Sequence, residues 1–113
     1  MTPKKASIKL RILGNDVSDY FRGSYFGVPA MDQDVLRLWK DFNDLLLELQ
    51  LEDPDRYSDF QEVPYPAPYL ADEESFYREG TMIYKPEHFA PLRLAIENLL
   101  KFTIPLAWER ESA

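Results

Sequence analysis

The sequence predicts an α+β fold, a small and mainly antiparallel sheet of three to four strands with two amphipathic helices packed on one face. Three observations lead there. Residues 7–13, SIKLRIL, alternate apolar and basic side chains as a half-buried strand does. Two later segments repeat their apolar residues at steps of three and four, the period of a helix. Short aromatic and β-branched runs bounded by glycine supply the remaining strands. With 113 residues, 45% of them hydrophobic, the chain is long enough for one core and too short for two. Residues 1–113 therefore read as a single globular domain.

In the first element Ile8, Leu10 and Ile12 point one way and Lys9 and Arg11 the other. Gly14, Asn15 and Asp16 then have the chemistry of a turn. The pairs Tyr20-Phe21 and Tyr25-Phe26 flank Gly23, which predicts a β-hairpin near 17–28, with Gly27 marking a bulge or an irregular loop.

Residues 32–53 carry the strongest pattern. Val35, Leu38, Phe42, Leu45 and Leu49, joined by Trp39 and Leu46, form one apolar arc of a helix. Asp32 is placed as its N-cap, Asp34 favours the positive end of the dipole, and Pro54 stops the run. Asp34, Asp41, Asp44, Glu48 and Glu52 fall in a second sector in which Arg37 is the only basic residue. Leu36, Leu47 and Leu51 lie outside both, either under a wide core or as an exposed strip.

Residues 53–75 have no helical or strand period. Pro64, Pro66 and Pro68 hold VPYPAPY extended, so Val63, Tyr65 and Tyr69 are expected to dock on the domain's own core, with display of the tyrosines to a partner as the second reading. TMIYK at 81–85 reads as a short strand. A second helix follows over about 89–103, with Pro91 near its start, Pro105 at its end and Leu92, Ala95, Ile96 and Leu99 on its core face.

Few residues carry chemistry. The chain has no cysteine, so disulfides and thiolate metal sites are excluded. His88 is the single histidine and reads as a capping or surface residue at the head of the second helix. No serine sits in a nucleophile elbow, and the glycines do not form a phosphate-binding loop. The acids from Asp53 onward resemble a calcium loop only until Ser58 and Pro64, which stand where glycine and glutamate are needed. No catalytic residue, cofactor or metal is assigned, and the chain is read as a non-enzyme.

Charge is the more informative property. The formal charge is -7, and residues 16–74 hold fifteen acidic side chains against four basic ones, whereas residues 1–15 hold four basic and no acidic ones. Such a field repels nucleic acid and anionic lipid and steers a basic surface inward. The expected role is an inhibitor that occludes a basic, nucleic-acid-handling protein, in the manner of an immunity protein or a phage anti-defence protein, with nucleic-acid mimicry as its strong form. Asp41, Asp44, Glu48 and Asp55 would meet the partner's charges, and Leu47, Tyr57, Tyr65 and Tyr69 would supply apolar anchors. The alternative is a structural subunit or assembly factor that forms a homodimer, or joins a larger complex, through Leu36, Leu47 and Leu51. Lacking a membrane-length apolar run, the chain is expected in the cytoplasm.

Overall fold

The computed structural model describes residues 1–66 and 81–112. They form α1 (Pro3–Ser24), β1 (Pro29–Met31), α2 (Asp32–Glu52), α3 (Pro54–Tyr57), β2 (Thr81–Ile83) and α4 (Pro86–Ser112). The protein is thus mainly helical, and the expected α+β sheet is replaced by a single two-stranded ribbon.

The largest departure is α1. Thr2 caps it, its hydroxyl accepting from the Lys5 N–H at 3.1 Å, and Pro3 occupies the first turn, where no intrahelical donor is needed. Ala6, Leu10, Leu13 and Val17, spaced at three and four residues, are its buried stripe. Ile8 and Ile12 are more than half exposed. The alternation in SIKLRIL is therefore incidental: of Ile8, Leu10 and Ile12 only Leu10 faces the core, where it is joined by Leu13, and Gly14-Asn15-Asp16 lies mid-helix, not in a turn.

Neither does a hairpin form at 17–28. The helix closes with the Val28 N–H donating to the Gly23 carbonyl at 3.3 Å and the Gly27 N–H to that of Ser24 at 3.2 Å, the paired bonds of a Schellman cap. Gly27 takes φ +65°, a left-handed conformation that glycine adopts without a Cβ clash. The chain then enters β1, which pairs antiparallel with β2 in the register Pro29 to Ile83 and Met31 to Thr81. The strand expected at 81–85 is present over 81–83.

The helix read at 32–53 runs from Asp32 to Glu52 and buries its predicted arc: Val35, Leu38, Trp39, Phe42, Leu45, Leu46 and Leu49. Its N-cap is Met31 rather than Asp32. Asp53 ends α2 and, by accepting from the Arg56 N–H, starts α3, with Pro54 in the first turn. The following segment is strapped to α2 by two amides one heptad apart. Asn43 exchanges two 2.9 Å hydrogen bonds with the backbone of Val63, and Gln50 donates to the carbonyls of Tyr57 and Phe60 at 3.2 and 2.8 Å. Val63 is buried, so this part docks as expected, while Tyr65 stays exposed. Pro68 and Tyr69 lie outside the described residues.

α4 is longer than its prolines suggested, since it spans Pro86–Ser112 with Pro91 and Pro105 inside it. A proline in a helix interior costs about 3 kcal/mol, chiefly through a lost hydrogen bond and a clash with the preceding turn. Both prolines are exposed, so water reaches the orphaned carbonyls, and the opposite face holds the helix in place. Phe89, Leu92, Ile96, Leu99 and Thr103 are buried there. α4 lies antiparallel along α1, with the Ser7 and Thr103 hydroxyls hydrogen bonded at 2.8 Å and Gly14 opposite Ile96. Level with Pro105, α1 is still alongside, so packing carries the helix past that residue. The core fills the space among the three long helices, with Trp39 and Phe89 in ring contact at 5.6 Å. No helix among the described residues is long and apolar enough to cross a membrane.

Two substitutions test this packing. A Cβ at Gly14 would meet the Ile96 Cγ2 at 3.6 Å, an ordinary contact, so Gly14→Ala should raise stability by about 0.5–1 kcal/mol in urea denaturation. Asn43→Ala should lower it by about 1–3 kcal/mol, because the half-buried Val63 backbone loses both partners.

Candidate functional site: an acidic groove between two helices

α1 and α2 leave an open groove of about 330 Å³ between them. Each helix lines it with one repeat of the same spacing: Lys9, Ile12, Leu13 and Asp16 from α1, and Asp41, Asp44, Leu45 and Glu48 from α2. Steps of three, four and seven residues put four side chains on one helical stripe, so the two walls match. Leu13 and Leu45 form an almost fully buried floor, and Ile12 adds a ledge that is 58% exposed. The rim is charged, with four carboxylates against the ammonium of Lys9.

The carboxylates are solvent exposed and project into the opening. Asp44 is the one with an ion-pair partner: Lys40, one turn away on the outer face, sits at 2.6 Å. That hydrogen bond, together with the Asp44 charge, holds the Lys40 ammonium above its usual pKa. Both groups are in water, so the pair contributes little to stability and leaves the rim negative. No group of three or more potential metal ligands occurs among the described residues. The groove can therefore offer charge and apolar surface together, a combination suited to a basic, amphipathic segment.

Three of the predicted contact residues, Asp41, Asp44 and Glu48, are brought together here. Asp55 is on α3, beyond the end of α2, and does not line the groove. Leu47 is 45% exposed and Leu51 75%, while Leu36 is half-buried, so this strip is exposed surface rather than core. Tyr65 is 54% exposed and borders a shallow depression with Leu36, Arg37 and Lys40 on another flank of α2. Tyr57 requires a correction. It is 3% exposed, with its ring edge-on to Phe102 at 5.5 Å, so it anchors the protein's own core and not a partner. Tyr69 lies outside the described residues.

Lys9, Ile12 and Asp16 were missed because the sequence reading put them in a strand and a turn. Their spacing with Leu13 repeats that of Asp41, Asp44, Leu45 and Glu48, and was the available signal. His88 takes the capping role expected of it, with its Nδ1 accepting from the Lys85 N–H at 2.8 Å while its own N–H donates to the Lys85 carbonyl at 2.9 Å. This is the side-chain half of a capping box, with imidazole in place of a carboxylate, and the second bond is backbone to backbone.

Comparison with protein-family models, curated proteins and solved structures finds no match to the chain. The functional reading rests on the groove itself.

Burial separates structural tyrosine from surface leucine. Tyr57→Ala should destabilise the protein by about 3–5 kcal/mol in thermal or urea unfolding. Leu51→Ala should change stability by no more than about 0.5 kcal/mol in the same measurement.

Proposed function

We propose that the protein is a non-catalytic binding protein that seats a basic, amphipathic segment of a partner protein in the α1–α2 groove and thereby occludes it. The observation that carries this reading is the union of Asp16, Asp41, Asp44 and Glu48 around the apolar floor of Leu13 and Leu45. Lysine or arginine of the segment meets the rim, and an apolar residue meets Leu45 and Ile12. A partner whose surface is basic because it handles nucleic acid fits that chemistry, as for an immunity or anti-defence inhibitor. The net charge of -7 steers such a partner inward and keeps polyanions out. We place the protein in the cytoplasm, where such partners work.

A second reading, self-association or assembly through the leucine strip, draws on the exposure of Leu47 and Leu51, one turn apart on α2. The two readings respond oppositely to salt, because exposed charges are screened within about 8–10 Å at physiological ionic strength while apolar contacts persist.

The test is affinity capture from the native host, with mass spectrometry, using the wild-type protein and a variant carrying Asp41→Lys, Asp44→Lys and Glu48→Lys. A basic protein retained by the wild type, lost by the variant and released as salt rises is the expected result. Equal retention by both would refute the groove, and a salt-resistant dimer abolished by Leu47→Glu would favour the second reading.

A further inference from the structure

The opposite flank of α1 carries a second groove. Gly14, Asn15 and Ser18 of α1 face Arg93, Leu94 and Glu97 of α4 across about 570 Å³, with Val17, Ile96 and Leu100 beneath and Arg11 at one end. We propose that this groove binds an organic anion, a negatively charged head group on an apolar body, held by Arg11 and Arg93.

The state of the guanidiniums is the first ground. In a chain with 20 acidic residues, Lys40, Arg22, Arg56 and Lys101 each rest on a carboxylate. Among the described residues the side chains of Arg11 and Arg93 have no hydrogen bond or ion pair, a state they share with Lys5, Lys9 and Arg37, and they are the two cations that line this groove. Glu97, the carboxylate on the groove wall, is engaged with Lys101 at 3.5 Å. Arg93 is nonetheless held in place, with its guanidinium 3.9 Å from the centre of the Phe21 ring. A cation stacked on an aromatic face is pre-positioned and still has its in-plane N–H donors to offer.

Spacing is the second ground. The Ser7–Thr103 and Gly14–Ile96 contacts fix a register in which a seven-residue step along α1 is a seven-residue step back along α4. Arg93, three residues before Ile96, is then level with Val17. Arg11 lies about 9 Å further along the axis at 1.5 Å per residue. Two cations thus bracket an apolar floor long enough for a ring system or a short alkyl chain. The volume is in the range of about 300–1,000 Å³ usual for small-molecule sites.

Gly14 is the third and independent ground. Glycine in a helix interior is destabilising relative to alanine, and helix packing does not require it here, because an added Cβ would make only one ordinary contact. What the missing side chain does provide is open space on the groove wall. A ligand that lies against the α1 backbone gives that glycine a reason.

The experiment titrates the full chain with anilinonaphthalene sulfonate, following fluorescence and amide chemical shifts. The expected result is saturable binding of one dye per protein, with shifts at Asn15, Ser18 and Leu94. Arg11→Gln and Arg93→Gln together should weaken it on the order of tenfold while circular dichroism is unchanged. Gly14→Ala should bind the dye more weakly although the protein becomes more stable, a combination that a purely structural glycine would not produce. Decanoate and naphthoate, added as competitors, distinguish an aliphatic from an aromatic body, and displacement by either supports the site. Dye binding indifferent to the arginines, shifts confined to other surfaces, or displacement by neither competitor would overturn it.

Discussion

The pairing of α1 with α4 is the constraint on which the remaining structure rests. Two contacts one heptad apart on α1 set its register: the Ser7 hydroxyl meets Thr103, and Gly14 lies opposite Ile96. Ser7 also bonds the Pro3 carbonyl at 2.9 Å, so its buried hydroxyl is satisfied within the pair. With these helices fixed, α2 completes the core from one side through Trp39, Phe42 and Leu46. Beyond α3 the chain up to residue 66 runs back along α2, and Asn43 and Gln50 guide it by binding backbone rather than side chains. The β1–β2 ribbon ties the α1–α2 connection to the chain entering α4.

This arrangement sorts the charge. Helix α2 turns its acids away from the core in a sector that begins at the groove with α1 and continues around its outer face. Helices α1 and α4 meet along a seam where two arginines, Arg11 and Arg93, stand against one carboxylate, Glu97. A composition dominated by carboxylates therefore yields a molecule with two differently charged flanks on either side of α1, and it is the fold, more than the net charge, that creates them.

Legibility followed the strength of periodicity. α2 was readable to within a residue because seven large apolar side chains keep the helical period and Pro54 marks the end. α1 was misread because its core stripe contains the small Ala6, while exposed Ile8 and Ile12 imitate a strand together with Leu10. The glycine and the Asn-Asp pair that follow imitate a turn, and only contact with α4 decides against it. The prolines of α4 were given the weight they have in an isolated helix. In the fold they face water, and the apolar side opposite, laid on α1, outweighs their local cost. The acid half of the candidate groove could be read from α2 alone, but its other wall could not, because a strand has no stripe at steps of three, four and seven. Tyr57 was misassigned for a related reason: whether an aromatic in an irregular segment points inward depends on what it meets, here Phe102, some 45 residues away.

The two flanks share α1, which raises the question of whether they act on each other. Lys9, Ile12 and Asp16 serve one groove and Arg11, Asn15 and Ser18 the other, so the two sets interleave over the same turns of helix. A mechanical link would need an element with two arrangements, and an uninterrupted helix packed on both sides does not supply one. Electrostatics does supply a link. The grooves are separated by about one helix diameter, ~10 Å, which is close to the Debye length at 0.1 M salt. At physiological ionic strength most of the field from Asp16, Asp41, Asp44 and Glu48 is therefore screened before it reaches Arg11 and Arg93. At 0.01 M salt, where screening extends to about 30 Å, the same carboxylates oppose an anion on the far side, and a basic segment that neutralised them would remove that opposition. Interaction between the flanks, on this geometry, is a property of ionic strength and not of shape.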